Sequence, residues 1–144
     1  MPDSEISTYL AYLLAFANRR MRIGLAQSIA SEEVNEEHWR ILQVLSDEHG
    51  RSMGDLAELV LLNHPALTKN IDKLVSRGLV QRAADAHDNR KVLVYISDLG
   101  LETVRRLKKR VDAHHDGIEE ALGPRKTSQL KKLLESFIEE SEPR

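Results

Sequence analysis

Apolar residues recur at helical spacing along most of the chain. Between residues 6 and 29 they stand three or four positions apart, which predicts a long first helix from Ile6 to about Ile29. Asn35, followed by two glutamates, predicts the start of a second helix that Gly50 ends. Ser52 can cap a short third helix over residues 53–60.

A fourth helix is predicted from His64 to Arg77. Asn63 is a suitable N-cap, and Pro65 falls in the first turn, where the missing N–H does not matter. Leu67, Ile71 and Leu74 recur on one side, so we expect that side to be buried.

After Gly78 the periodicity changes from about four residues to two. Residues 79–82 and 92–96 predict two strands of a hairpin, joined by a polar loop over residues 84–91. Asp98 starts another helix, and Gly123-Pro124 separates it from a last one. That last helix has an apolar stripe formed by Leu130, Leu133, Leu134, Phe137 and Ile138.

The order of elements predicts a mainly α fold with a small β-hairpin wing, a winged helix-turn-helix. Residues 35–97 form the predicted DNA-binding domain. Residues 1–34 and 98–144 are predicted dimerisation helices, because their apolar faces have no partner within a small winged domain. We therefore expect a homodimer.

Composition narrows the class of protein further. A chain of 144 residues with 41% hydrophobic and 31% charged residues suits one core. The absence of cysteine excludes disulfides, thiolate zinc sites and thiol nucleophiles. The longest apolar run, residues 9–17, is too short for a membrane-spanning helix and lacks a basic segment before it, so we expect a cytoplasmic protein without membrane association.

The charge is unevenly distributed. The formal net charge is −2, yet residues 64–91 carry six basic and three acidic side chains and form the single net-positive segment when the chain is divided at residues 52, 63 and 91. A basic segment in an acidic chain indicates where an anionic partner would dock. This segment contains the fourth helix and the hairpin loop.

The chain resembles the MarR (multiple antibiotic resistance regulator) family of bacterial transcription factors. The resemblance covers roughly residues 35–104, and its most specific element is Asp88-Asn89-Arg90, which is similar to the family's Asp-x-Arg wing motif. It implies an obligate homodimer that binds double-stranded DNA at a palindromic operator, with a recognition helix in the major groove and a wing in the minor groove. His64-Pro65-Ala66 departs from the small hydroxyl residues and Arg that the family often has at this place, so the resemblance does not carry over the base sequence that is read.

The predicted DNA contacts lie on the fourth helix and in the hairpin loop. Arg90 has the reach and permanent charge to enter a narrow minor groove. Asp88 is expected to order the wing by pairing with Arg90 or Arg82. Lys73 is expected to meet a phosphate, and the residues predicted to contact bases or the wing's groove are His64, Pro65, Thr68, Lys69 and Asn89.

The resemblance also implies a small aromatic or phenolic effector, bound between the dimerisation and DNA-binding parts. Arg19 or Arg20 could pair with its carboxylate, and His38 is a further candidate. The function predicted is a repressor that the effector releases from DNA. The basic run 105–110 is interpreted as a solvated helix face, although phosphate contact stays open.

Two other functions remain open at this point. One is a winged-helix module that binds a protein instead of DNA. The other is a metal-responsive regulator using Asp112, His115 and Glu119, which stand at helical spacings. The sequence has no nucleophile elbow, phosphate-binding glycine loop or paired-carboxylate motif, so no enzyme and no cofactor are predicted.

Overall fold

The computed structural model describes residues 3–143, so Met1 and Pro2 of the predicted N-terminal segment and Arg144 of the C-terminal one lie outside the described residues. Six α-helices and three strands make up most of these residues. In chain order they are α1 (Leu10–Ile29), α2 (Glu36–Leu45), β1 (Arg51–Ser52), α3 (Met53–Val60), α4 (His64–Ser76), β2 (Val80–Ala84), β3 (Val92–Ile96), α5 (Asp98–Leu122) and α6 (Pro124–Glu140).

Side-chain caps set the starts of four helices. The side chain of Asn35 accepts a hydrogen bond from the backbone N–H of His38, and Asn63 caps α4 in the same way through Ala66. Such a cap satisfies a donor that has no partner inside the helix. Ser52 and Ser97 likewise cap α3 and α5.

The first helix starts later than predicted. Residues 5–8 form a 3-10 turn, and Tyr9 is extended, so the α-helix begins at Leu10 rather than at Ile6. The hydroxyl of Ser7 donates to the carbonyl of Ser4, and that of Thr8 to the carbonyl of Glu5. Hydroxyl-to-backbone bonds of this kind offer the chain an alternative to the α-helix.

The sheet has three antiparallel strands in the order β1-β3-β2. The predicted hairpin pairs Val80 with Ile96 and Ala84 with Val92. The strand β1 was not predicted, since two residues are too short to show any periodicity; it pairs Arg51 with Val94. The wing is therefore joined at its base to the residues that precede α3.

One core runs through the winged domain and into the flanking helices. Leu42 of α2 and Leu56 of α3 are fully buried in it. So are Leu67, Ile71 and Leu74, as predicted for the apolar stripe of α4. Ile29 of α1 and Leu107 of α5 belong to the same cluster. The packing is thus continuous across the segment boundaries at residues 34 and 97.

The outer parts of α1 and α6 present apolar side chains to solvent in the single chain. They include Leu10, Leu13, Met21, Leu130, Leu133, Phe137 and Ile138. None of the helices formed by residues 3–143 has the length and apolar character needed to cross a bilayer.

Candidate DNA interface and effector cleft

Helix α4 has two chemically distinct faces. Leu67, Ile71 and Leu74 are buried in the core. The opposite side exposes the predicted contact residues His64, Pro65, Thr68, Lys69 and Lys73. A helix held by its apolar face, with hydroxyl and ammonium donors outward, can place those donors against base edges and phosphates.

Asn70 fixes α4 against α2. Its side chain is 7% exposed, and its Nδ2 donates to Glu37 Oε2 at 2.8 Å and to the carbonyl of Ala66 at 2.9 Å. Asn70 was not predicted as a buried contact residue. The signal was available, because position 70 falls three residues after Leu67 and four before Leu74, within the buried stripe.

An ion pair joins α4 to the wing. Asp72 of α4 accepts a hydrogen bond from the Arg82 guanidinium of β2. Asp72 follows Thr68 by four residues and Lys69 by three, so it shares their helix face. The wing strand therefore lies beside the exposed face of α4, and Arg82 is not the partner of Asp88 that the sequence left possible.

Asp88 shapes the tip of the wing. Its Oδ1 accepts a hydrogen bond from the backbone N–H of Arg90 at 3.1 Å and lies 3.7 Å from the Arg90 Nε. The side chain of Arg90 is 95% exposed, and Asn89 beside it is exposed as well. An aspartate that bonds the backbone two residues on stabilises a turn, and here the turn projects a cation into solvent.

A cleft of about 640 Å³ opens between α1 and the start of α2. We call it the effector cleft. Two cations, Arg19 and Arg22, and one anion, Glu36, contribute its charge. Its other lining residues are Ala15, Asn18, Ile23, Ala26 and Asn35.

The three predicted effector residues do not come together. Arg19 lines the effector cleft, whereas the guanidinium of Arg20 lies over the Phe16 ring at 5.1 Å. Successive residues of a helix point about 100° apart, which separates these neighbours. His38 is 6% exposed in the core rather than in the cleft.

His38 lies near α4. Burial lowers the pKa of its imidazole, and the charges of Arg77 and Lys73 lower it further. The charge of Glu37 and a hydrogen bond with Asn70 raise that pKa, but by less than burial and the two cations lower it. The arrangement favours a neutral ring.

The loop between α1 and α2 is held from both sides. Arg77, just after α4, donates to the carbonyls of Glu32 and Glu33 at 2.9 and 2.8 Å. Arg106 of α5 donates to the Glu32 carboxylate at 2.8 Å, and this hydrogen bond lowers the pKa of Glu32. Arg106 is thus a surface ion-pair residue of the basic run.

The alternative metal site is not assembled. Across residues 3–143 no three histidine or acidic side chains are grouped closely enough to hold a metal ion. Asp112, one of the candidates, instead pairs with Lys108 Nζ at 2.7 Å. The structure therefore gives no support to the metal-responsive hypothesis.

A capped helix presenting polar groups beside a β-hairpin, preceded by a short helix and a tight turn, defines a winged helix-turn-helix protein. Residues 33–91 match the MarR family, and the chain belongs to it. It is 32% identical over 101 residues to the HTH-type transcriptional regulator FarR of Neisseria gonorrhoeae, covering 70% of this chain and 69% of FarR.

Solved structures of other proteins are similar to this structure over nearly the whole chain. The transcriptional repressor CouR, bound to a 23-mer DNA duplex, is similar with a TM-score of 0.86 and 26% identity, covering 95% of this chain and 97% of CouR. NadR, in complex with 4-hydroxyphenylacetate, has a TM-score of 0.77 at 26% identity, with the same coverage. The predicted family and fold are confirmed.

Proposed function

We propose that the chain is a homodimeric repressor that binds a palindromic operator and is released by a small aromatic carboxylate. The observation that carries the DNA-binding part is the exposed face of α4 beside the wing, joined to it by Asp72 and Arg82. A helix and a hairpin held in this relation can enter adjacent grooves of one duplex.

Each predicted contact has a role in this proposal. Thr68 and Lys69 bond base edges, and Pro65 contacts a thymine methyl, while His64 bonds a base or phosphate. Lys73 binds a phosphate and sets the register, and Asn89 contacts the groove that the wing enters. Arg90 enters the minor groove, and Asp88 holds the turn that carries it.

Residues 1–34 and 98–144 are proposed to form the dimer, and residues 35–97 the DNA-binding domain. The exposed apolar side chains of α1 and α6 support this assignment, because such a surface is unfavourable in water unless a partner covers it. A two-fold dimer would present two copies of α4 to two half-sites of an operator.

The effector is proposed to bind in the effector cleft through Arg19 and Arg22. Two guanidiniums three residues apart on one helix suit a carboxylate, and Ala15, Ile23 and Ala26 supply apolar surface for a ring. The complex of NadR with 4-hydroxyphenylacetate supports this ligand class. Arg20 and His38 are no longer proposed as ligand contacts.

The proposal places the protein in the cytoplasm, with the DNA that it regulates, and gives it no catalytic activity and no cofactor. Membership of a family of transcription regulators supports the location and the absence of catalytic activity. The remaining alternative is a winged module that binds a protein instead of DNA. Salt distinguishes the two: a DNA-binding repressor should lose operator affinity steeply as the salt concentration rises, because binding releases counterions from the duplex. A protein-binding module should show no sequence-selective affinity for the duplex.

The test uses the purified protein and the genomic fragments that it retains. Operator affinity is measured by fluorescence anisotropy across a salt series, with a scrambled duplex as control. Salt-dependent, sequence-selective binding supports the proposal, and equal affinity for both duplexes at every salt concentration contradicts it.

Effector release is tested with benzoates and 4-hydroxyphenylacetate on the protein–operator complex. Arg19→Ala should weaken effector binding by about 1.5–3 kcal/mol, because the substitution removes a charge-assisted hydrogen bond to the effector carboxylate. Arg20→Ala is the matched control, since that side chain lies on Phe16 instead. Equal effector affinity in both variants would contradict the cleft assignment.

A further inference from the structure

A continuous set of polar contacts links the effector cleft to the end of α3. Arg22 Nε of α1 donates to Glu36 Oε2 at 2.6 Å. The other oxygen of the same carboxylate, Oε1, accepts from Arg40 Nη2 at 2.8 Å. Arg40 Nη1 in turn donates to the carbonyl of Val60 at 2.9 Å.

Val60 is the last residue of α3, directly before the turn into α4. Leu61 follows with a φ of 60°, a left-handed conformation that reverses the chain direction. Arg40 thus bonds the carbonyl at which the turn of the helix-turn-helix begins. The Glu36 carboxylate connects this point to the dimerisation helix α1.

The neighbouring glutamate bonds the recognition helix. Glu37 Oε2 accepts from Asn70 of α4, which is buried. The first turn of α2 therefore bonds α1 through one carboxylate and α4 through the next. Because Asn70 bonds Glu37 directly, a displacement of the first turn of α2 is transmitted directly to α4.

The Arg22–Glu36 pair is open to competition. The Arg22 side chain is 57% exposed and that of Glu36 18% exposed, and both line the effector cleft. Because the Arg22 guanidinium is open to solvent, a second carboxylate can reach it and take the place of Glu36 there. Glu36 keeps its bond to Arg40 when it leaves Arg22.

We propose that an effector carboxylate acts by replacing the Glu36 carboxylate at Arg22. This rests on the proposed function, in which a carboxylate binds beside Arg19. The exchange detaches α1 from the first turn of α2 and, through Glu37 and Arg40, lets α4 shift relative to the dimerisation helices. Glu36 is a positioning residue that links effector binding to operator binding.

The exchange makes a prediction that needs no effector. Arg22→Gln and Glu36→Gln each break the same pair, so each should weaken operator binding about 5- to 20-fold, in the range of typical coupling energies. The double variant should bind no worse than Glu36→Gln, because that substitution already removes the pair with Arg22 and also weakens the contact of the same side chain with Arg40. Arg20→Gln and Glu58→Gln are the controls, because these side chains are exposed and make no ion pair within residues 3–143.

The exchange also predicts opposite changes in one variant. Glu36→Gln removes the charge that competes for Arg22, so 4-hydroxyphenylacetate should bind it several-fold more tightly than it binds wild type. The same ligand should release the operator less from Glu36→Gln, because the link is already broken. Isothermal titration calorimetry gives the first quantity, and anisotropy with and without ligand gives the second.

The outcomes separate this proposal from the proposed function. A wild-type response to the ligand together with an unchanged response in Glu36→Gln overturns the exchange and leaves the repressor intact. Failure of every tested aromatic carboxylate to bind wild type overturns the effector class and the exchange together. Additive losses in the Arg22→Gln/Glu36→Gln double variant also overturn the exchange, and thermal unfolding confirms that each variant is folded.

Discussion

Asp72 and Arg82 form an ion pair between the recognition helix and the first strand of the wing. Both side chains are substantially exposed, so the pair contributes little to the free energy of unfolding. The pair joins the two elements that we propose to bind DNA, so we expect it to influence how they are positioned relative to each other. A helix and a wing that bind one duplex must be spaced to fit two grooves at once.

Exchanging the two charges tests this relationship. Asp72→Arg and Arg82→Asp alone should each weaken operator binding by about 1–2 kcal/mol and change the free energy of unfolding by less than about 1 kcal/mol. The double variant keeps the wild-type net charge and should recover most of the affinity. Anisotropy at fixed salt measures the effect, and a double variant as weak as the worse single one would show that the pair does not position the wing.

Arg90→Ala should weaken specific operator binding by about 1–3 kcal/mol and leave the thermal unfolding temperature nearly unchanged. The reason is its 95% exposure at the wing tip, where it packs on nothing in the core. Asp88→Ala should also weaken binding, although through loss of the turn that its carboxylate holds. Equal operator affinity of wild type and Arg90→Ala would remove the wing from the mechanism.

Leu133→Glu should convert the dimer to a monomer without unfolding the chain. Leu133 is 63% exposed in the single chain, so a charge there harms an interface between chains and not the core. Sedimentation velocity measures the mass, and circular dichroism measures the helix content. Lys132→Glu, at the exposed neighbouring position, is the control, and a dimer that persists in Leu133→Glu would place the interface elsewhere.

His38→Leu should reduce the loss of stability in mild acid. Because burial holds the pKa of His38 below its unfolded value of about 6.5, the unfolded chain takes up the proton first as the pH falls. The free energy of unfolding should therefore decrease below about pH 6.5, by at most about 1.4 kcal/mol per pH unit for one proton.

Urea unfolding of wild type and variant between pH 5 and pH 7.5 measures this difference. At pH 7 this proton-linked difference should be small, because the ring is neutral in the folded chain and mostly neutral in the unfolded one. His87→Leu, in the exposed loop of the wing, is the control. If the free energy of unfolding changed with pH in the same way for wild type and His38→Leu, His38 would not be the source of the acid sensitivity.

The sequence predicted the helices and the hairpin because their signals are local. The Asn63 cap, Pro65 and the stripe Leu67, Ile71 and Leu74 define α4 within a dozen residues. The predicted start of α1 at Ile6 was wrong, because side-chain hydroxyl bonds and an extended Tyr9 interrupt the helix before Leu10. The strand β1 pairs with residues more than 40 positions away, and no local pattern encodes such a contact.

Some features of the candidate site could also be predicted from local sequence, whereas others depend on the tertiary structure. The exposed residues of α4 and the wing follow from helix periodicity and a turn motif. The partners Asn70–Glu37 and Asp72–Arg82 join different elements, so only the tertiary structure brings them together. For the effector, sequence identified basic residues of α1 but could not separate Arg19 from Arg20, whose directions depend on packing.

The two-residue strand β1 has a mechanical consequence. Through its pairing with β3 it fastens the base of the wing to Ser52, which also caps α3. The Asp72–Arg82 pair joins the wing to α4, and the bond from Asn70 to Glu37 joins α4 to α2, so these elements are connected as one unit. We therefore expect the proposed effector to rotate each winged unit as a whole relative to the dimer. The spacing of the two units would then change, while the surface that each presents to its half-site would stay constant.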